Sequence, residues 1–240
     1  MVLAEQTNDF MIKLLYKYEI FGQEFYLTTT HVAMLIITAV LVVFFIAANR
    51  AIKKALRSET IEAPGAFLNV VELIVEKLDS MVAGSMGKNA KRFRNYIGTL
   101  FIFILVCNIS GIFGLRAPTA DYGVTLCLGL ITFVLIHYNG FKKNKVGHFT
   151  ALFKPLPLLF PINLIGEVAT PLSLSLRLFG NIMSGTVMLG LWYGMMPLLF
   201  TLGVPVALHF YFDLFSGAIQ TYVFCMLTMV YVSDKISDEE

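Results

Sequence analysis

Residues 156–191 read LPLLFPINLIGEVATPLSLSLRLFGNIMSGTVMLGL, an apolar stretch that carries one carboxylate, Glu167, and one guanidinium, Arg177. As a helix it would be about 54 Å long at 1.5 Å per residue, whereas an upright crossing of a ~30 Å hydrocarbon layer needs roughly 20 residues. A second long apolar stretch, residues 198–233, follows the turn Gly194-Met-Met-Pro197. Either each stretch is broken at its proline, Pro171 and Pro205, or the two form a tilted helical hairpin. Both alternatives require a membrane protein.

Working outward from the hairpin, the rest of the chain agrees. Of 240 residues, 57% are hydrophobic and only 14% charged, with a mean hydropathy of +0.75, outside the usual range of soluble domains. Residues 31–48 form a first span, ended by the basic run Arg50-Ala-Ile-Lys-Lys-Ala-Leu-Arg57. Over residues 64–83, Phe67, Val70, Val71, Ile74, Val75 and Leu78 recur at helical spacing, with Asn69, Glu72, Glu76 and Asp79 on another face. That pattern predicts an amphipathic helix lying at the membrane surface. Residues 97–115 and 122–140 make the second and third spans. The expected fold is an all-α integral membrane protein in a single membrane domain, with about five transmembrane helices, one amphipathic interfacial helix and a long tilted C-terminal hairpin.

Basic residues set the orientation. The 49–96 connection carries nine Lys or Arg and the 141–155 connection four, against Arg116 alone in the 116–121 loop and none in the 192–197 turn. The positive-inside tendency makes the first two cytoplasmic, which puts residues 1–30 and the N-terminus outside and the acidic tail inside. Lys13 and Lys17 run against this bias without outweighing it. The location expected is a cell inner or plasma membrane. No cleavable leader is evident, because the first apolar run is followed by a basic stop-transfer cluster. Cys107, Cys127 and Cys225 all lie in apolar runs, so they read as small core residues, with no metal or disulfide spacing. A net charge of +2 gives no reason to expect a nucleic-acid partner, and no cofactor motif is present.

Three charges stand deep in the C-terminal hairpin: Glu167, Arg177 and Asp213. An arginine at a helix centre costs roughly 2.5–3.5 kcal/mol on insertion scales, so it marks a functional site. Glu167, Thr170, Ser173, Arg177, Asn181 and Ser184 follow one another by three or four residues, as do His209, Asp213, Ser216 and Gln220 on the second arm. Such spacings share one helix face. Two neighbouring helices, each with a polar stripe in lipid-like sequence, predict a hydrated ion path.

At these residues a family is recognisable. Pro171-Leu-Ser-Leu-Ser-Leu-Arg-Leu-Phe-Gly-Asn-Ile182 with Ser184-Gly185 closely resembles the signature of subunit a of bacterial and chloroplast F-type ATP synthases. Ala218-Ile-Gln-Thr-Tyr-Val-Phe-Cys-Met-Leu-Thr-Met-Val-Tyr231 resembles its final helix. The resemblance implies a stator subunit without catalytic chemistry of its own, forming two aqueous half-channels to the carboxylates of a c-subunit ring. It implies the ring, the peripheral-stalk b subunits, membrane lipids and the rest of the synthase as partners. It makes Arg177 the essential arginine facing the ring, with Asn181 and Gln220 as neighbouring polar positions. Protons are the coupling ion expected by default, although sodium-coupled members exist. Some members carry a carboxylate nine residues after the arginine, where this chain has Thr186, paired with a titratable residue seven before the glutamine, here Asp213. Glu167 stands ten residues before Arg177, whereas some members place theirs one turn earlier, at Asn163 here. The ion path expected is thus Arg177 with Asn181, Gln220, Asp213, Glu167, His209, Ser173 and Ser184.

Two other classes compete. An intramembrane serine hydrolase would use Ser184 and His209, but Asn181-Ile-Met-Ser184-Gly185 lacks the expected glycine before the serine, and nothing there explains Arg177. A stand-alone secondary transporter would be expected to show repeats, and none is visible.

Overall fold

The computed structural model describes residues 14–20, 23–57, 65–144, 153, 157–195 and 204–236. The residues before Leu14, Pro64 at the start of the expected surface helix, most of the 141–155 connection, Pro197 of the hairpin turn and the last four residues lie outside this set.

Helices dominate. Helix α1 runs Thr29–Arg57, α2 Ala66–Met86, α3 Ala90–Ile109, α4 Tyr122–Asn144 and α5 Phe160–Met195. The last arm comprises α6 (Val204–His209), a π-helical segment Phe210–Ser216 and α7 (Gly217–Ile236). Short 3₁₀ turns, Gly87–Asn89, Ser110–Phe113 and Pro118–Ala120, separate α2 from α3 and lead from α3 to α4. Five helical stretches are long and apolar enough to cross a membrane, one of them formed by α2 and α3 together. An antiparallel hairpin of β1 (Leu14–Ile20) and β2 (Gln23–Thr28) precedes α1 and was not anticipated. Its Glu24 accepts from Lys17 Nζ and Tyr26 Oη, each at 2.5 Å, and those two donors hold the carboxyl below its usual range.

Pro171 does not break its helix: α5 runs unbroken through it for 36 residues. The other arm is interrupted at the π-helical segment, five residues beyond Pro205. The core lies between α3, α4, α5 and α7. Phe93, Ile97, Leu100, Ile104 and Cys107 recur by four and three residues along α3 and are all buried. The first four meet Leu128 and Ile136 of α4, Leu174 and Leu178 of α5, and Phe224, Cys225, Met229 and Val232 of α7, while Cys107 packs with Ile37 and Leu41 of α1. In a bilayer this contact draws on close van der Waals packing, because lipid tails are as apolar as leucine. Cys107 and Cys225 are core residues as expected, but Cys127 is exposed, since its position on α4 faces away from the bundle.

A polar node lies inside the same bundle. Asn108 Nδ2 donates to the Gly217 carbonyl and to Thr221 Oγ1, each at 3.0 Å, while its Oδ1 accepts from Thr119 Oγ1 at 2.7 Å. All three side chains are 0–1% exposed, so the amide is fully used where water does not reach. It ties α3, the Pro118–Ala120 turn and α7 together.

The α4–α5 contact depends on an absent side chain. A Cβ at Gly129 would lie 2.8 Å from the Pro171 carbonyl oxygen, a backbone atom that cannot swing aside. Gly129→Ala should therefore destabilise the detergent-solubilised protein by the ~1–3 kcal/mol typical of overpacking. Gly84→Ala, with nothing within 4 Å of its Cβ, should leave stability equal or higher. Thermal unfolding of the two variants side by side checks this; equal melting temperatures would refute the close approach.

Candidate functional site

The polar stripe of α5 divides into two edges. At 3.6 residues per turn its members spread over roughly 120° around the axis, with Glu167 and Asn181 at one edge and Ser173, Ser184 and Arg177 toward the other. Burial follows the same division: Glu167, Thr170 and Asn181 are half-buried, whereas Ser173, Arg177 and Ser184 are exposed. The Glu167 edge meets neighbouring helices, and the Arg177 edge faces away from the bundle. Among the described residues Arg177 makes no hydrogen bond or ion pair. Ser173, Gly180 and Ser184, exposed within two turns of it, are small, while Leu172 and Leu176 are the large exposed residues nearest to it along the helix. A guanidinium therefore stands alone on a shallow open face, 17 residues from the start of α5 and 18 from its end.

One end of the hairpin holds a cavity of about 560 Å³, walled by the start of α1, the 111–117 turn, the second half of α5 and the π-helical segment. Arg116, Thr186, Tyr193, His209 and Asp213 contribute its polar groups. His209 Nδ1 lies 2.6 Å from Asp213 Oδ2, and Tyr193 Oη lies 3.3 Å from His209 Nε2. An ionised carboxylate only accepts, so the ring proton belongs on Nδ1 and Nε2 accepts from the tyrosine hydroxyl. The three side chains form a directed chain of hydrogen bonds along the cavity wall. Asp213 reaches this wall from the π-helical segment, whose wider winding turns the residue relative to Gln220; such segments recur at functional sites. The carboxylate also lies against Gly111, where a Cβ would be 3.2 Å from Oδ2.

Between this cavity and the level of Arg177 the two arms are joined. Asn181 Nδ2 donates to the Ser216 carbonyl at 3.4 Å, and Ser216 Oγ donates to Asn181 Oδ1 at 3.0 Å. Gln220, one turn further along α7, is buried at 7% exposure. Ser184 Oγ donates to the carbonyl of Asn181 at 2.9 Å, while both ring nitrogens of His209 are engaged elsewhere. Serine and histidine therefore form no nucleophile–base pair.

Glu167 belongs to the opposite end of the helix. Its Oε1 accepts from Lys235 Nζ of α7 at 2.5 Å, and its Oε2 lies 3.5 Å from His137 Nε2 of α4. His137 and Lys235 went unnoticed in the sequence because a histidine or lysine near a helix end is an ordinary surface feature. Tyr193 was missed likewise. Among the described residues no three His, Cys, Asp or Glu side chains converge as a metal site requires.

Comparison with known proteins gives a family. The family model described as ATP synthase A chain matches residues 31–233. "ATP synthase subunit a, sodium ion specific" of Propionigenium modestum is 44% identical over 186 residues, which cover 70% of this chain and 63% of that protein, just under two thirds of its length. ATP synthase subunit a of Bacillus pumilus is 38% identical over 194 residues, 71% of this chain and 80% of its own. That of Lysinibacillus sphaericus is 34% identical over 223 residues, covering 86% and 91%.

If the cavity holds water in the membrane, Thr186 on its wall is reachable by a small charged thiol reagent. In a Cys127→Ser background, Thr186→Cys should react roughly tenfold or more faster with a water-soluble methanethiosulfonate than the buried Cys107 and Cys225. Mass-spectrometric labelling of the membrane-embedded protein reads this directly. Equal labelling at all three positions would mean the cavity is dry.

Proposed function

This chain belongs to the subunit a family of the F-type ATP synthase, and we propose that it is the stator element carrying ions between two aqueous half-channels and the acids of a rotating c-ring. One observation carries the proposal: Arg177 stands unpartnered, among the described residues, on the open face of α5, between polar clusters near the two ends of that helix. Along the axis, Glu167 is about 15 Å to one side and Thr186 about 13 Å to the other. A single straight channel would join the clusters inside the bundle. Two half-channels that meet only at the ring face leave the charge outside, where the rotor passes.

The positive-inside tendency supports the sidedness. It makes the Glu167–Lys235–His137 end cytoplasmic and the Tyr193–His209–Asp213 cavity extracytoplasmic, in a bacterial plasma membrane. Helix α2 then lies along the cytoplasmic surface, consistent with its exposed Phe67, Val70 and Leu73. A 36-residue α5 exceeds the hydrocarbon thickness and lies tilted against the ring. The small exposed residues beside Arg177 suit the close approach of a rotor helix. Peripheral-stalk b subunits hold the stator against the torque.

The electrostatics of one step follow. A ring carboxyl facing lipid stays neutral, because a hydrocarbon medium disfavours its ionised form. Beside Arg177 a permanent positive charge lowers its pKa by ~1–3 units, or ~1.4–4 kcal/mol, and the proton leaves into one half-channel. Once the ring steps past, the carboxylate takes a proton from the other. The guanidinium repels any cation moving directly between the half-channels, so leakage without rotation is suppressed. One elementary charge crossing ~100 mV supplies about 2.3 kcal/mol, which biases the direction.

Lysine does not replace this arginine, since a desolvated ammonium loses its proton and a guanidinium does not. Arg177→Lys should assemble into the complex yet fail to support ion-driven ATP synthesis in inverted membrane vesicles; synthesis at wild-type rates would remove Arg177 from the mechanism. Asp213→Asn should slow ATP-driven ion uptake several-fold with assembly intact, because the cavity loses its one carboxylate acceptor. Uptake that matches wild type across a pH series would exclude Asp213 from the path.

A further inference from the structure

The cluster around Glu167 contains a group that the family signature does not touch. His137 Nδ1 lies 3.0 Å from the Phe133 carbonyl on its own helix. A carbonyl only accepts, so Nδ1 carries a hydrogen, and Nε2 is the nitrogen left facing Glu167 Oε2 at 3.5 Å. Two lone pairs would then face each other across a gap too narrow for water. The contact is favourable only when one further proton resides on the pair. Glu167 already accepts from the Lys235 ammonium through its other oxygen, so that proton belongs on the ring. The side chains of His137, Glu167 and Lys235 are 22%, 21% and 25% exposed, open enough to exchange protons with water and sheltered enough to feel one another.

Resting on the reading of α5 as a wall of the ion path, we propose that His137 is the proton-holding residue of the cytoplasmic half-channel, with Glu167 as its counter-charge and Lys235 fixing the carboxylate. In the synthesis direction a proton released from a rotor acid reaches the imidazole through intervening water. The imidazolium first releases its Nε2 proton to cytoplasmic water, and the Nε2–H bond then re-forms as the O–H bond of the arriving donor breaks. Imidazole suits this task because it gains and loses a proton in the physiological range. Glu167, held by an ammonium, shapes the field and does not shuttle. Among the described residues, the charged groups at this cluster are Glu167 from α5, beside the imidazole, and Lys235 from α7, on the other carboxylate oxygen. Further along α4, Lys143 Nζ donates to the Ile236 carbonyl at 2.7 Å and closes the end of α7. The proposal makes the proton the coupling ion of this chain, unlike the relative named for sodium.

Inverted vesicles bearing the whole complex expose the cytoplasmic side to the medium, so external pH can be set freely. Initial rates of ATP-driven proton uptake are measured from about pH 6 to about pH 8, divided by ATP hydrolysis in the same vesicles. His137→Gln should stay within about twofold of wild type at the acid end and fall about tenfold behind at the alkaline end, where free protons are scarce. Added free imidazole should restore His137→Ala, an effect that a merely structural histidine would not give. A His137→Gln profile superimposed on wild type, a loss equal at every pH and untouched by imidazole, or uptake of radioactive sodium in place of protons would each overturn the proposal. Arg177→Ala separates the two readings. If that variant pumps normally, the ion-path reading fails; if it is inactive while His137→Gln matches wild type, only the role of His137 is lost.

Discussion

A permanent positive charge halfway along an apolar helix, with no partner among the described residues of its own chain, constrains everything around it. Inserting such a charge costs several kcal/mol unless an anion or water compensates it. Glu167, the nearest carboxylate along α5, is already occupied by Lys235, and Asp213 is occupied by His209. Had either paired with Arg177, the charge would be neutralised inside the bundle and the open face would be ordinary lipid-facing surface. Because both acids are held elsewhere, no carboxylate among the described residues pairs with Arg177, and on the proposed reading its anion comes from outside the chain. The rotor acid of the proposed mechanism, arriving, ionising and moving on, would meet that need without ever making it permanent.

The scaffold serves this arrangement by keeping neighbouring elements from drifting. Asn108 anchors α7 beside α3 through hydrogen bonds that have no competitor in a dry interior, and Gly129 lets α4 approach the backbone of α5 at Pro171. Both contacts bear on the two arms of the hairpin. The α5 arm is thereby seated six residues before Arg177, and the α7 arm three residues before Gln220. Asn181 and Ser216 then couple the arms to each other. Polar groups that would be unremarkable in water become positional restraints here, because an unsatisfied donor inside the membrane has no fallback partner.

What the sequence revealed and what it concealed divide along a physical line. Arg177, Glu167 and Asp213 were legible because a charge in a lipid-like run is costly and therefore rare. The five crossing stretches were legible because length and apolarity are properties of a segment by itself. The direction of each stripe was only half legible. Helical spacing groups Glu167 with Arg177, yet a 120° arc is wide enough for its edges to face different neighbours. His137, Tyr193 and Lys235 were hidden because their meaning comes from a partner on another element: Glu167 stands 68 residues before Lys235, and no periodicity links them. The π-helical segment was hidden as well, since Phe-Tyr-Phe-Asp-Leu-Phe-Ser contains no residue that a regular helix would refuse. The N-terminal hairpin was hidden because its two strands mix polar and aromatic residues and are too short to stand out as crossings.

The two ends of α5 are built from different chemistry, and the difference fits their opposite tasks. At the end proposed as extracytoplasmic, Tyr193, His209 and Asp213 form a chain in which every hydrogen has one acceptor and the terminal group is a carboxylate, an arrangement that attracts cations. At the end proposed as cytoplasmic, the carboxylate is balanced by a lysine on one oxygen and faces an imidazole with the other. On the proposed reading, an ion driven inward by the membrane potential meets an attractive entry first and then a site whose carboxylate is already balanced. The asymmetry is a matter of which group stands beside each acid, a neutral histidine in one case and a lysine ammonium in the other, with Arg177 between them on the face proposed to meet the rotor.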